Sequence, residues 1–186
     1  MGVDNSVMGL TLINTTGAIS GGTADVEITG LSSAYKAYEF HFYELHPSAA
    51  YANFEFQVNT SYNQNINSTA IRTWTHDADS HSKDFAYSDG ADQHVGASSG
   101  TWCCLNENVN SGNAENSVSG VMTLYDPSSS YSKHFISQTD AQTSTTYMQF
   151  FQVAGYVKTT SAVDRIKFRF GSGNIDSGEI KWFGYS

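Results

Sequence analysis

The chain has 186 residues, 15% of them charged, with 18 acidic against 9 basic side chains and a formal charge of -9. Its length suits one domain that buries a full core without staples, and its acidic balance repels polyanions at long range, which argues against a nucleic-acid partner. No apolar run reaches the length of a membrane span, and no charged n-region precedes an apolar segment, so neither membrane insertion nor signal-peptide export is expected.

In chain order, Gly9 to Asn14 reads as a short first strand, followed by a Gly/Ser/Thr loop to Gly22. Ala24, Val26 and Ile28 alternate with Asp25, Glu27 and Thr29, the period of a half-buried strand. Tyr38, Phe40 and Phe42 then share one face, opposite Glu39, His41 and Tyr43. Rings of that size bury about 150–250 Å² each, so this segment is expected to be a central strand, ending where Pro47 cannot donate to a ladder. Phe54, Phe56 and Val58 form a second aromatic strand, expected to pair with the first as a hairpin turning near Pro47-Ser48. Residues 59–69 read as loop and Ile71 to Thr75 as a brief strand.

From His76 to Asn116 the periodicity fades, apart from patches at Phe85 to Tyr87, Val95 and Trp102 to Leu105. A long irregular insertion at about 76–116 is therefore expected, and such segments are commonly functional or interfacial. Beyond it, Val118 to Leu124 and Tyr131 to Ile136 make a hairpin around Asp126-Pro127-Ser128. Thr146 to Val157 is apolar on both parities, as in a central or covered strand. The chain closes on Ile166, Phe168 and Phe170 alternating with Arg165, Lys167 and Arg169, then a Gly-Ser-Gly-Asn turn, then Ile180 and Trp182 alternating with Glu179 and Lys181. This predicts a closing hairpin whose wet side is a basic face of Arg165, Lys167, Arg169 and Lys181, read as a solvated edge that discourages aggregation.

No helical period holds for a full amphipathic helix, and turn signals recur at the spacing of an all-β domain. The expectation is all-β: one antiparallel β-sandwich domain over residues 1–186. The closing pattern, apolar residues alternating at 166–170, Gly171-Ser172-Gly173-Asn174-Ile175, Ser177-Gly178, and a short strand ending Phe183-Gly184-Tyr185, resembles the C-terminal hairpin of β-sandwich virion proteins of tailed bacteriophages. The resemblance covers about one eighth of the chain, and such hairpins are variable. It implies a sandwich of jelly-roll type and a virion setting after assembly in the host cytoplasm, with self-association, expected as a homotrimer, and contact with other virion proteins.

Chemistry has few candidate addresses. His76, Asp77, Asp79 and His81 form the densest titratable cluster, with Asp84, Asp89, Asp92 and His94 nearby; the leading reading is a wet acidic loop, and the alternative is a divalent-cation site, although the spacing matches no strong motif. Trp74 and Trp102 flank the polar middle region; their leading use is core filling or subunit contact, and they are also the candidates for stacking against a glycan. Cys103 and Cys104 are adjacent, which disfavours a mutual disulfide, and are expected to be reduced, half-buried thiols. There is no Gly-x-Ser-x-Gly elbow, no phosphate loop and no lone cysteine at a catalytic spacing. Glu39, Glu44 and Glu55 supply carboxylates for glycoside cleavage, but acidic residues on adjacent strands are commonplace.

The leading expectation is a non-enzymatic structural component of a tailed-phage virion, a capsid decoration protein with no resident cofactor. The alternatives are a receptor-binding tail-fibre head or appendage recognising a cell-surface glycan, and a sandwich-fold glycan hydrolase.

Overall fold

The computed structural model describes residues 9–59, 61–76, 84–93, 101–143 and 146–186. Within them the chain forms strands β1 (Leu10–Thr15), β2 (Asp25–Thr29), β3 (Ala37–Pro47), β4 (Ala52–Val58), β5 (Ile66–His76) and β6 (Asp84–Tyr87). They are followed by β7 (Cys103–Val109), β8 (Val118–Tyr125), β9 (Lys133–Gln142), β10 (Tyr147–Val157), β11 (Arg165–Phe170) and β12 (Ile175–Tyr185). No helix of the described residues is long and apolar enough to cross a membrane.

The strands form two antiparallel sheets packed face to face, a β-sandwich. One has eight strands in the order β1-β12-β3-β8-β9-β10-β5-β6, and the other has four in the order β2-β11-β4-β7. Their inner faces are the apolar parities read from the sequence. Tyr38, Phe40 and Phe42 of β3 are buried, as are Ile166, Phe168 and Phe170 of β11. Phe40 meets Phe168 edge-on at 5.3 Å, Phe42 meets Phe54 at 4.9 Å, and Phe56 meets Phe135 at 4.9 Å. Each contact crosses from one sheet to the other and adds about 0.5–1.5 kcal/mol beyond the area it buries.

Two expected hairpins are not hairpins. β3 pairs with β12 and β8, whereas β4 pairs with β11 and β7, so the aromatic strands face each other across the core instead of lying side by side. The closing pair behaves likewise: β11 belongs to the four-stranded sheet and β12 to the eight-stranded one. Alternation fixes which side chains point inward but is the same for a hairpin and for an arch that folds one apolar face onto another. The two arches, residues 48–51 and 171–174, lie together. Ser48 donates its amide to the Asn174 carbonyl at 2.9 Å, and the Asn174 amide donates to Ser48 Oγ at 2.8 Å. Gly173 adopts φ 70° there, and a Cβ on it would lie 2.7 Å from both Ser48 Oγ and the Ala49 methyl. Glycine is required by conformation and by space.

The β8–β9 hairpin forms as expected, and β10 lies between β9 and β5, the central position its two apolar parities indicate. The segment expected as loop already enters β5 at Ile66, and the 76–116 region contributes β6 and β7. All of β7 except Asn108 is buried. Its sequence, Cys-Cys-Leu-Asn-Glu-Asn-Val, has no clean alternation because register shifts interrupt its pairing with β4 around Phe54.

A candidate binding cleft at the polar end of the sandwich

The two sheets enclose cores of different chemistry at their two ends. Between β3, β4 and β11 the filling is aromatic. Between β5, β7, β9 and β10 the buried set includes Ser68, Asn106, Glu107, Thr139 and Gln149. Buried polar groups cost on the order of 1–3 kcal/mol each when unpaired, and here Asn106, Glu107, Thr139 and Gln149 form a connected network with Ser88, while Ser68 Oγ accepts from the Gln93 amide. Asn106 Nδ2 donates to Thr139 Oγ1 at 3.0 Å, and Thr139 Oγ1 donates to the Leu105 carbonyl at 2.7 Å. Gln149 Nε2 donates to Asn106 Oδ1 at 3.3 Å and to the Glu107 carbonyl at 3.4 Å. Ser88 Oγ donates to Glu107 Oε2 at 2.8 Å.

Arg72 links this network to the surface. On β5 it shares the inward parity with Trp74, because its register partner on β10 is the fully buried Phe151. Its Nη1 reaches Glu107 Oε2 on β7 at 2.6 Å, a charge-assisted bond between the sheets. Its guanidinium also lies 4.6 Å from the centre of the Trp74 ring. Where β7 faces the paired strands β5 and β10, Arg72, Trp74, Asn108, Thr143, Tyr147 and Gln149 line a cleft of about 360 Å³. Such a lining offers an aromatic face, amide and hydroxyl groups, and one cation already matched by a carboxylate.

Trp74 therefore stands in a cleft, but Trp102 does not join it. Trp102 lies just before β7 against the outer side of the four-stranded sheet, with the Arg169 guanidinium 3.9 Å from its ring centre and Tyr62 stacked at 6.0 Å. Trp102 and Asn108 stand at opposite ends of β7, on the order of 20 Å of extended chain apart. The two tryptophans do not share one binding surface.

The expected basic face is neutralised and divided. Lys167 meets Asp25 at 3.2 Å, Arg169 meets Glu55 at 3.3 Å, and Arg165 meets Asp164 at 3.2 Å and Glu27 at 3.6 Å. The antiparallel registers of β2 and β4 beside β11 bring Asp25, Glu27 and Glu55 up to the basic side chains, while Asp164 is the chain neighbour of Arg165. Lys181 is on the other sheet, 3.4 Å from Glu179. Burial raises the Glu55 carboxyl above the usual range despite the Arg169 charge beside it, whereas the Tyr62 hydroxyl that donates to Glu27 holds that carboxyl low.

Of the proposed metal cluster, His76 ends β5 with its ring 4.6 Å from Tyr147, edge to face; Asp77, Asp79 and His81 lie outside the described residues. Among the described residues, no three His, Cys, Asp or Glu side chains come together as a metal site. Cys103 and Cys104 are fully buried, not half-buried, and burial pushes the Cys103 thiol up to about 12 and Cys104 well above its ordinary value. Glu39 and Glu55 lie on the outer sides of opposite sheets, since their neighbours Phe40 and Phe56 point into the core, so these two carboxylates cannot flank one glycosidic bond.

Arg72, Asn108, Thr143, Tyr147 and Gln149 were not singled out by sequence reasoning. Gln149 left a signal, because it interrupts the parity of Phe151 and Val153 with an amide. Comparison with known proteins identifies no matching family model, no matching curated protein and no matching solved structure.

Proposed function

We propose that the chain is a non-enzymatic structural protein of a tailed-phage virion, a capsid decoration protein of jelly-roll type that associates as a homotrimer. The observation that carries this reading is the outer face of the eight-stranded sheet. From edge to edge it presents Leu12, Phe183, Tyr43, Val121, Phe150 and Phe85, and Leu12 and Phe85 are 53% and 68% exposed. Its apolar side chains recur on six of the eight strands, with exposed Gln138 and Asp140 of β9 between Val121 and Phe150, and a surface with that many outward apolar groups suits contact with further subunits. The resemblance of the closing segment to virion β-sandwiches supports the setting, and the separation of Glu39 from Glu55 weighs against the hydrolase alternative.

Quantitative mass spectrometry of gradient-purified particles from the source tests this reading. Decoration requires copies in proportion to the capsid subunits. A few copies per particle, tracking the tail proteins, would favour the fibre-head alternative, and absence from particles would overturn the virion role. Light scattering of the purified chain separately tests the trimer.

A further inference from the structure

We propose that the Trp74 cleft binds a neutral saccharide, one sugar ring lying against the indole and its hydroxyls engaging the amide and hydroxyl groups of Asn108, Thr143, Tyr147 and Gln149. The inference concerns recognition by the individual chain and goes beyond a packing role in a particle.

The chemistry of the lining selects the ligand class. An apolar ligand would strip water from the Asn108 amide and the Thr143 and Tyr147 hydroxyls without replacing their hydrogen bonds. An anion would need an available cation, but Arg72 is engaged by Glu107 at 2.6 Å, and the chain as a whole carries a formal charge of -9. A saccharide has apolar ring faces for the tryptophan and hydroxyls that both donate and accept. The cleft, about 360 Å³, lies at the small end of ligand-site volumes and suits one or two sugar rings.

The site is also built in advance. Ser88 and Arg72 hold Glu107 from two directions, Glu107 fixes Arg72 beside Trp74, and Asn106 with the Glu107 carbonyl anchors Gln149. Side chains already ordered lose little freedom when a ligand arrives. Arg72 Nε is buried with no hydrogen-bond partner, so the polar network carries an unsatisfied donor beside the cleft.

The test is calorimetric titration of the purified chain with maltotriose, cellotriose, mannotriose and chitotriose, with trigalacturonate as the anionic counterpart. At least one neutral trisaccharide should bind with a Kd of about 1 mM or below. Trp74→Ala should weaken it by about tenfold or more, while Trp102→Ala leaves it unchanged. Should Trp74→Ala fail to fold, Tyr147→Leu, at the rim of the cleft, must produce the loss instead. No heat from any neutral trisaccharide at about 10 mM, binding of trigalacturonate alone, or equal weakening by Trp102→Ala would overturn the proposal. None of these outcomes depends on whether the chain is found on particles.

Discussion

Arg72 on β5 and Glu107 on β7 meet at 2.6 Å across the gap between the two sheets, with Ser88 donating to the same carboxylate oxygen at 2.8 Å. Breaking such a pair on one side leaves a shielded charge without compensation, whereas replacing both partners by apolar residues removes the desolvation cost as well. Glu107→Gln should therefore destabilise the fold by about 3 kcal/mol in urea denaturation. The double substitution Arg72→Met with Glu107→Leu should recover most of that loss. A double variant as unstable as the single one would contradict this account of the polar end.

At the aromatic end the cost comes from lost volume. Phe168 is fully buried and lies within 6.0 Å of Phe40, Phe42 and Phe54, so Phe168→Ala should cost about 3–5 kcal/mol by the same assay. Phe85→Ser, on the exposed outer face, should leave monomer stability within about 0.5 kcal/mol yet lower the association state measured by light scattering.

Glu55 gives a pH dependence with a definite sign. Its folded-state pKa is raised, chiefly by burial, so between the unfolded and folded values the native chain holds more protons than the unfolded one, and stability falls as pH rises through that window. The contribution of Glu55 is thus most favourable below its unfolded pKa, at about 4.3, and least favourable above its folded one. The stability of wild type relative to Glu55→Gln should increase on going from neutral to mildly acidic pH. Glu27, Asp164 and Glu179 have lowered pKa values and act in the opposite sense, so the comparison with the variant isolates Glu55. An opposite trend in that difference would contradict its assignment.

How much of this was legible in the sequence depended on the physical question. The inward parities of β2, β3, β4 and β11 could be read because a period of two survives whatever the strand pairs with. Which strand lay beside which was harder, since Phe42 and Phe54 oppose each other across the core and their alternation would have been identical in a hairpin. β7 was hidden because Asn106 and Glu107 are buried by hydrogen bonding and not by apolarity. The basic face was misread for a related reason: Lys167 and Arg169 do alternate outward, but their carboxylate partners are contributed by strands distant in sequence. Trp74 was found as a candidate, while Arg72, Asn108 and Tyr147 became its neighbours only through the meeting of β5, β7 and β10.

The cysteines offer a probe of global opening. With both thiols buried and their ionisation driven up, iodoacetamide at mildly alkaline pH should leave the native chain unmodified, and labelling should follow the unfolding transition in urea. Rapid alkylation without denaturant would show that β7 is released from the sandwich by itself.

The central claim is that this sandwich works as a particle component through the outer face of its eight-stranded sheet. A cryo-electron microscopy map of the intact particle tests it most directly. The account predicts density for this chain on the capsid exterior, with Leu12, Phe183, Phe150 and Phe85 covered by neighbouring subunits and the Trp74 cleft open to solvent. A particle without the chain, or one that holds it with that face bare, would contradict the account.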